Sequence, residues 1–514
     1  MTEAGPAGDN EEVELKFVFA EAEVGEAIVR WLDARYPAVG DAAWRTLEIT
    51  DRYFDTPDSA LESAGYGARL RSVGSETVLT VKADIETGGG LHRRLELEAP
   101  ATRALNPAAW PESDARARVI ALAAGTRRLI ERFTVGQQRR ERAIALPTAT
   151  AVASIDEAEV DFLGVPAGEI HQFEVELRDG DPGALKVFAR AFARARLARP
   201  GEHSKLAMAA RLVEQAARVA PDDHWSDAAR KMLRRHVVRM LERESATRAG
   251  NVLALKQMRV ATRRMRATWR VFDAAFSGAH AEHFDIGLRR AAGLLGAVRD
   301  LDVLLESIDG RNDLAPLAAS WRARRDAAFV ELVDHLDSPG YGRFIDDLLE
   351  GTEARGEWSP GKRANERVAE LAPARLDKAV ERMVAAAQHA QGSNEAVAWH
   401  ALRITAKRMR YSLEALRDVL GERAATDFIE QLRTLQDVLG EMNDASVAAH
   451  EAAAWLTSTS GADASPNDRV AVARFIGERE ESVGEARRAF AQDWSDVRLS
   501  DVPPLVGAVG SPSS

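Results

Sequence analysis

Glu12, Glu14 and Lys16 stand at alternate positions of the segment Glu12-Val13-Glu14-Leu15-Lys16-Phe17. On a strand successive side chains point to opposite faces, so these three charges share one face and Val13, Leu15 and Phe17 the other. The pattern recurs at Arg69 and Arg71, at Arg94, Glu96 and Glu98, at Arg140 and Arg142, and at Glu174 and Glu176, while Lys82 ends the strand-like run Val78 to Val81. One such strand is an ordinary solvated face. A series of them, nearly all Glu, Arg and Lys, points to a barrel or tunnel with a charged interior and helices packed outside. Carboxylates hold hard divalent cations, and Arg and Lys hold phosphate oxygens, Arg often with two hydrogen bonds. Together they suit a metal–polyphosphate substrate attacked by water. Mutual neutralisation of buried ion pairs is a poor alternative reason for so many charges, because desolvation tends to cancel the Coulomb gain.

A second set lies in the C-terminal half. Residues 256–266 read KQMRVATRRMR, with five basic residues and no acid. Lys256, Arg259, Arg263, Arg266 and Arg270 fall on one helical stripe, with Arg264 beside it. Met258, Thr262, Met265, Trp269, Phe272 and Phe276 form an apolar stripe that reads as the core seam. A copy follows at His400, Arg403, Lys407, Arg408 and Arg410, with its own seam at Leu402, Ala406, Met409, Leu413, Leu416 and Leu420. An ordinary face intersperses acids, since like charges one turn apart repel. Two uncompensated stripes predict an anion-binding groove, suited to a linear polyanion held by many salt-sensitive contacts. Asp300, Asp302 and Asp444 read as groups that orient these cations rather than as metal ligands.

Two periodicities position these residues. From Glu11 to about Glu176 the pattern is period two, over 12–19, 67–82, 93–98, 133–146, 152–160 and 172–178, with helices at 24–35, 115–125 and 183–195. Turn residues include Gly74 and Gly88-Gly89-Gly90. From about 205 the period is helical, with a hinge at Pro221-Asp222-Asp223 and breaks at Ser338-Pro339-Gly340 and Ser359-Pro360-Gly361. MRVATRRMR at 258–266 matches LRITAKRMR at 402–410, and LGAVRDLDV at 295–303 matches LGEMNDASV at 439–447, both 144 residues apart. That is an internal duplication. The expected fold is α+β and multidomain: an antiparallel eight-stranded β tunnel at 11–215, a linker at 216–224 and an all-α bundle at 225–497, with disordered tails at 1–10 and 498–514.

The chain has 514 residues, 46% apolar, 29% charged and only 6% aromatic. It has no cysteine, which excludes disulfides, thiol nucleophiles and Cys-ligated metals. Met1 to Glu14 is acidic without an apolar core, and no run of about 18 apolar residues occurs, so neither a signal peptide nor a membrane span is expected. The expected location is the cytoplasm. A net charge of −11 and few aromatics near the basic stripes speak against nucleic acid as the partner.

Glu12-x-Glu14-x-Lys16 resembles the ExExK signature of the CYTH, or triphosphate tunnel metalloenzyme, superfamily. Tyr53-Phe54-Asp55-Thr56, Arg69-Leu70-Arg71, Lys82, the Glu96/Glu98 strand, Arg140-x-Arg142, Asp156, Glu174-x-Glu176 and Ser204-Lys205 follow in the family's order. The resemblance implies an eight-stranded antiparallel tunnel that cleaves triphosphates with Mg2+ or Mn2+. It implies metal ligands at Glu12, Glu14, Glu174 and Glu176, with Asp156 beside them. Phosphate contacts would come from Lys16, Arg69, Arg71, Lys82, Arg140, Arg142 and Lys205, with Glu12, Glu14 and Lys16 at the catalytic centre. The crowding of Arg139, Arg140 and Arg142, and of Asp156, Glu157 and Glu159, leaves open which of them face inward. The helical repeats resemble the CHAD domain, whose members are linked to inorganic polyphosphate. Lys256 departs from the family's first His, and Asn443 and Ser446 from its RDxD pattern. The combined expectation is a tripolyphosphatase that also binds longer polyphosphate or docks on its deposits. The rivals are an organic triphosphatase or adenylate cyclase, and a non-catalytic polyphosphate scaffold.

Overall fold

The computed structural model describes residues 11–493 apart from 41–42, 89–90, 124–127, 355, 357, 392, 394 and 421. The expected disordered tails, and Gly89 and Gly90 of the glycine turn, lie outside the described residues. The chain divides into two compact units, Met1–Ala217 and Arg218–Ser514.

The first unit contains eight long strands: β1 (Glu11–Phe19), β2 (Arg45–Asp55), β3 (Tyr66–Val73), β4 (Glu76–Gly88), β5 (Leu91–Pro100), β6 (Ile130–Leu146), β7 (Ala149–Phe162) and β8 (Val165–Gly180). Their order is β5-β4-β3-β2-β6-β7-β8-β1, and β1 pairs back onto β5, so the antiparallel sheet closes on itself. A two-residue strand, β9 (Arg199–Pro200), adds to β1. β2 is the one long strand that the alternation did not single out. The β3–β4 hairpin turns at Gly74, whose φ of +57 is strained for any residue with a Cβ.

Closure follows from the alternation. The outward residues of β1, β7 and β8, among them Leu15, Phe17, Ile155, Phe173 and Val175, form a core with Ile28 and Leu32 of α1 (Ala22–Asp33) and Phe188 and Phe192 of α4 (Gly183–Ala195). On the other side Leu70, Leu79, Val81 and Leu97 pack with Leu61 of α2 (Ala60–Ser63), with Val119 of α3 (Asp114–Leu122) and with Trp110 in the loop before it. Each such large side chain contributes about 1.5–3 kcal/mol by burial. The charged set is thereby left on the inside. α5 (Lys205–Ala216) packs Leu206, Ala209, Leu212 and Val213 against the inner-face residues Tyr53, Phe133, Val135, Ala158, Val160 and Ile170, filling that end of the barrel. Gly67 lies under this helix, where a Cβ would meet Leu206 Cδ2 at 2.4 Å.

The second unit is helical: α6 (Trp225–Arg248), α7 (Val252–Val271), α8 (Ala279–Ser307), α9 (Ala315–Asp337), α10 (Pro339–Gly351), α11 (Val368–Gln391), α12 (Ala396–Ala415), α13 (Glu422–Thr457), α14 (Thr459–Ala462) and α15 (Pro466–Asp493). Packing runs α6–α7–α8–α9 in the first half and α11–α12–α13–α15 in the second, and α7 meets α12 across the halves. Both predicted seams are interior, with Met258, Thr262, Met265, Leu402, Ala406 and Met409 all buried. Ser338 caps α10, accepting from the Tyr341 amide, with Pro339 in its first turn. Pro221–Asp223 is not a free hinge. Pro221 and Asp223 carbonyls accept from the amides of Ala369 and Val368, and Asp223 pairs with Lys231 at 2.8 Å. These residues are built into the helical unit.

Candidate functional sites

The barrel encloses a cavity of about 470 Å3 lined by Glu12, Glu14, Lys16, Arg69, Arg71, Lys82, Glu174, Glu176 and Lys205 among others. Strand register brings them together. Glu14 lies opposite Glu176 and Lys16 opposite Glu174 across β1 and β8, and Lys82 lies opposite Glu96 across β4 and β5.

Inside, cations and carboxylates are interleaved. Lys16 pairs with Glu174 and, at 2.7 Å, with Glu14, which also receives Arg94 at 3.1 Å. Lys82 bridges Glu12 at 2.6 Å and Glu96 at 3.0 Å. Asp51 and Asp156 are wholly buried. The Arg71 guanidinium donates to both Asp51 oxygens at 2.8 Å, and Arg69 reaches Asp51 at 3.2 Å. Arg139 donates to both Asp156 oxygens at 2.7 Å and to Glu174 at 2.9 Å. Lys205, the first residue of α5, completes this group with Asp156 at 2.7 Å and Gln137 at 2.5 Å. Burial opposes ionisation of Glu174, but Lys16, Lys205 and Arg139 outweigh it and hold the carboxyl well below its ordinary range.

Two of the expected phosphate ligands are elsewhere. Arg140 pairs with Glu26 of α1 and, at 3.4 Å, with Glu157; Arg142 pairs with Asp33 at 2.8 Å and lies over Trp44. Both stand outside the barrel. The inward residues of β6 are Gln137, Arg139 and Glu141. The parity could have been counted from Ile144 and Leu146, which sit in the outer core and share a face with Arg140 and Arg142. Asp156 is inward, and its two oxygens accept from Arg139 and Lys205. Within the Tyr53-Phe54-Asp55-Thr56 stretch Tyr53 lines the cavity, while Asp55 accepts from the amides of Thr56, Leu61 and Glu62, fixing the turn into α2. Sequence reasoning passed over Asp51, and it left Arg139 and Arg94 off the site.

Of the expected metal ligands, Glu12, Glu14, Glu174 and Glu176 line the cavity, Glu174 being held by Lys16 and Arg139. Burial pushes the Glu176 carboxyl up to about 7, the charges of Glu12 and Glu14 adding to the shift and Arg178 and Lys82 opposing it. A hard cation among these oxygens would relieve that repulsion. Among the described residues no three acidic or His side chains already stand at ligating separation, since Glu12 and Glu14 are drawn toward Lys82, Lys16 and Arg94.

In the helical unit Arg259 and Arg263 of α7 meet Arg403 and Lys407 of α12 in one central cluster. Burial lowers the proton affinity of Arg403, with Arg263 and Arg259 adding to the effect and Asp444 and Asp300 opposing it. The Lys407 ammonium is pushed down to about 7, by burial first and then by Arg403, Arg263 and Arg259, against Asp444. Asp300 pairs with Arg259 at 3.0 Å, the orienting role read for it, whereas Asp302 pairs at 3.0 Å with Arg325 of α9, outside both stripes. Arg263, Arg266, Arg403 and Arg410 each keep a buried Nε without a hydrogen-bond partner. Such orphaned donors on clustered cations leave room for an anion. Lys256 and His400 are exposed at equivalent positions of the two repeats. Arg264, Arg408 and Arg410 turn away from the central cluster toward two further groups.

A closed antiparallel tunnel lined by cations and carboxylates, followed by a duplicated helical unit with a cationic seam, defines the class. The CYTH domain matches residues 10–209 and the CHAD domain residues 231–453, so the chain is a CYTH–CHAD protein. Two uncharacterized proteins of Mycobacterium tuberculosis, from strains CDC 1551 / Oshkosh and ATCC 25618 / H37Rv, are each 26% identical over 233 residues, 43% of this chain and 44% of theirs. The chain thus spans under half the length of these curated relatives. Among solved structures, the CHAD domain from the plant Ricinus communis is 24% identical with a TM-score of 0.44, over 57% of this chain and 97% of that one. PptA from Streptomyces chartreusis is 19% identical with a TM-score of 0.43, over 53% and 100%. An adenylyl-cyclase-like protein from Hippeastrum, described as having a dominant triphosphatase activity, is 16% identical with a TM-score of 0.31, over 39% and 95%.

Proposed function

We propose that the barrel hydrolyses inorganic tripolyphosphate to pyrophosphate and phosphate with Mg2+ or Mn2+, and that the helical unit binds longer inorganic polyphosphate. The carrying observation is the convergence of Lys16, Arg69, Arg71, Lys82, Arg139 and Lys205 with Glu12, Glu14 and Glu176 on one cavity. The cations would neutralise phosphate oxygens and stabilise charge on the leaving phosphate, already oriented by Asp51 and Asp156. A divalent ion held by Glu12, Glu14 and Glu176 would supply charge neutralisation and a more acidic water. An inorganic substrate is favoured over a nucleotide because the two cavity-lining aromatics are engaged: Tyr53 packs in a tilted pair with Phe133 at 5.0 Å and Tyr66 lies under Arg118. Among the described residues no helix is long and apolar enough to cross a membrane, and we place the protein in the cytoplasm beside polyphosphate deposits. A scaffold reading draws on the internal pairing of Glu12, Glu14 and Glu174.

A phosphate-release panel decides between them. Tripolyphosphate, long-chain polyphosphate, thiamine triphosphate and ATP are each offered with Mg2+ or Mn2+, to the native chain and to Glu12→Gln and Glu14→Gln. The expected result is fastest, metal-dependent cleavage of tripolyphosphate, reduced at least about 100-fold in both variants. Faster cleavage of ATP or thiamine triphosphate, or turnover without metal, overturns the reading. Binding without turnover favours the scaffold.

A further inference from the structure

Between the duplicated helices α7 and α12 there is one charge reversal. The 144-residue shift carries Arg264 onto Arg408, Arg266 onto Arg410 and Arg289 onto Arg433, but it carries Arg270 onto Glu414. These residues form two equivalent groups, each one turn beyond the central cluster along its basic stripe.

In the first group Arg266 of α7, Arg289 of α8 and Arg408 of α12 are electrostatic neighbours of Arg270 of α7. Its acid is Asp285, which pairs with Arg289. Among the described residues Arg266, Arg270 and Arg408 have no ion pair, and the buried Arg266 Nε has no partner. In the second group Glu414 of α12 accepts from Arg410 at 3.0 Å and stands 3.5 Å from Arg264 and 3.7 Å from Arg433. Arg433 also pairs with Glu430, and nearby Arg235 of α6 lies 3.7 Å from Asp418. Arg239 of α6 also stands beside Arg264 and Arg235, opposed by Glu242 and Glu414, so charge is left more open on one side of the central cluster than on the other. Partial burial lowers the proton affinity of Arg270, the charges of Arg266, Arg408 and Arg289 lower it further, and Asp285 opposes them.

We propose that a linear polyanion held by the central cluster leaves it in one direction only, over Arg266, Arg270, Arg289 and Arg408, and that Glu414 blocks the equivalent path by neutralising Arg264, Arg410 and Arg433. The inference rests on the polyphosphate-binding reading of this unit. It makes a duplicated scaffold bind its polymer asymmetrically.

The test is binding of long-chain inorganic polyphosphate to the full chain over a salt series. Arg270→Glu should weaken binding roughly tenfold or more and flatten the salt slope, because fewer counter-ions are released. Glu414→Arg should tighten binding roughly fivefold or more and steepen the slope. The double exchange should return affinity to within about threefold of the native value, the open path having changed sides. Arg270→Gln and Glu414→Gln should shift affinity in the same directions by smaller amounts, and they decide the question if a charge reversal fails to fold. Unchanged affinity in either Gln variant, or a double exchange as weak as Arg270→Glu, overturns the asymmetry. If the native chain does not bind polyphosphate, or if replacing Arg259, Arg263, Arg403 and Lys407 together by Ala leaves affinity intact, the binding reading fails and this inference with it. Loss in that quadruple variant combined with unchanged affinity in both Gln variants sinks the asymmetry alone.

Discussion

Asp51 and Arg71 face each other across β2 and β3, and both carboxylate oxygens accept from the one guanidinium at 2.8 Å. Arg69 meets the same carboxylate from one position along the face. Burial pushes the Asp51 carboxyl up, but Arg69 and Arg71, with Lys205 behind them, outweigh it and hold the group well below the usual carboxylate range. The acid is thus a fixed anchor for two proposed phosphate ligands.

Asp51→Asn should therefore raise the KM for tripolyphosphate roughly tenfold or more and lower kcat less, since it loosens ground-state contacts first. Breaking a buried pair from one side costs about 3 kcal/mol or more, so the melting temperature should fall as well. Saturating tripolyphosphate should recover part of that loss by supplying a new counter-ion. Steady-state kinetics and thermal melts with and without substrate check both effects. A lower melting temperature with an unchanged KM would reduce Asp51 to a purely structural role.

The contrast on β6 is equally testable. Arg139→Gln should lower kcat/KM roughly 100-fold, because it removes a guanidinium that joins Asp156 and Glu174 inside the cavity. Arg140→Ala and Arg142→Ala should keep kcat/KM within about twofold and cost only about 0–1 kcal/mol in stability each, as partly exposed pairs do. Kinetics of the three variants, side by side, decide which parity of the strand faces the substrate.

The barrel was legible because period two separates charge from apolar mass along most of its strands, and both helical stripes because like charges recur at helical spacing without acids. The inward parity of β6 was harder. Three arginines in four positions satisfy either face, and only the packing of Ile144 and Leu146 on α1 and α4 fixes it. Asp51 carried no signal in sequence, since Thr50-Asp51-Arg52 gives no sign that its partners come from the next strand. The Pro221–Asp223 segment has the composition of a hinge, and hydrogen bonds to residues about 145 positions later override it. Glu414 became informative only once the helices showed which arginines gather around each repeat position.

Lys407 gives the helical unit a pH dependence whose sign can be worked out. Its ammonium faces Arg403 on its own helix, Arg263 and Arg259 of α7, and Asp444 of α13, and titrates at about 7 in the folded chain. The ordinary lysine value is about 10.4, so between these limits the unfolded chain binds the extra proton and the folded chain does not. This group's penalty on folding is thus fully present below pH 7 and fades as pH rises toward 10. Polyphosphate bound as proposed would reverse the preference, since its negative charge favours the ammonium. Binding should take up protons near pH 7–8, and affinity should fall as pH rises above 7, by at most about tenfold per unit for one proton. Lys407→Arg, whose side chain stays charged throughout, should flatten that fall while keeping the affinity seen at pH 6.5. Calorimetry in buffers of different ionisation enthalpy counts the protons, and affinities at pH 6.5, 7.5 and 8.5 measure the slope. An equal slope in native protein and Lys407→Arg would assign the pH response to the phosphate chain and leave Lys407 charged throughout.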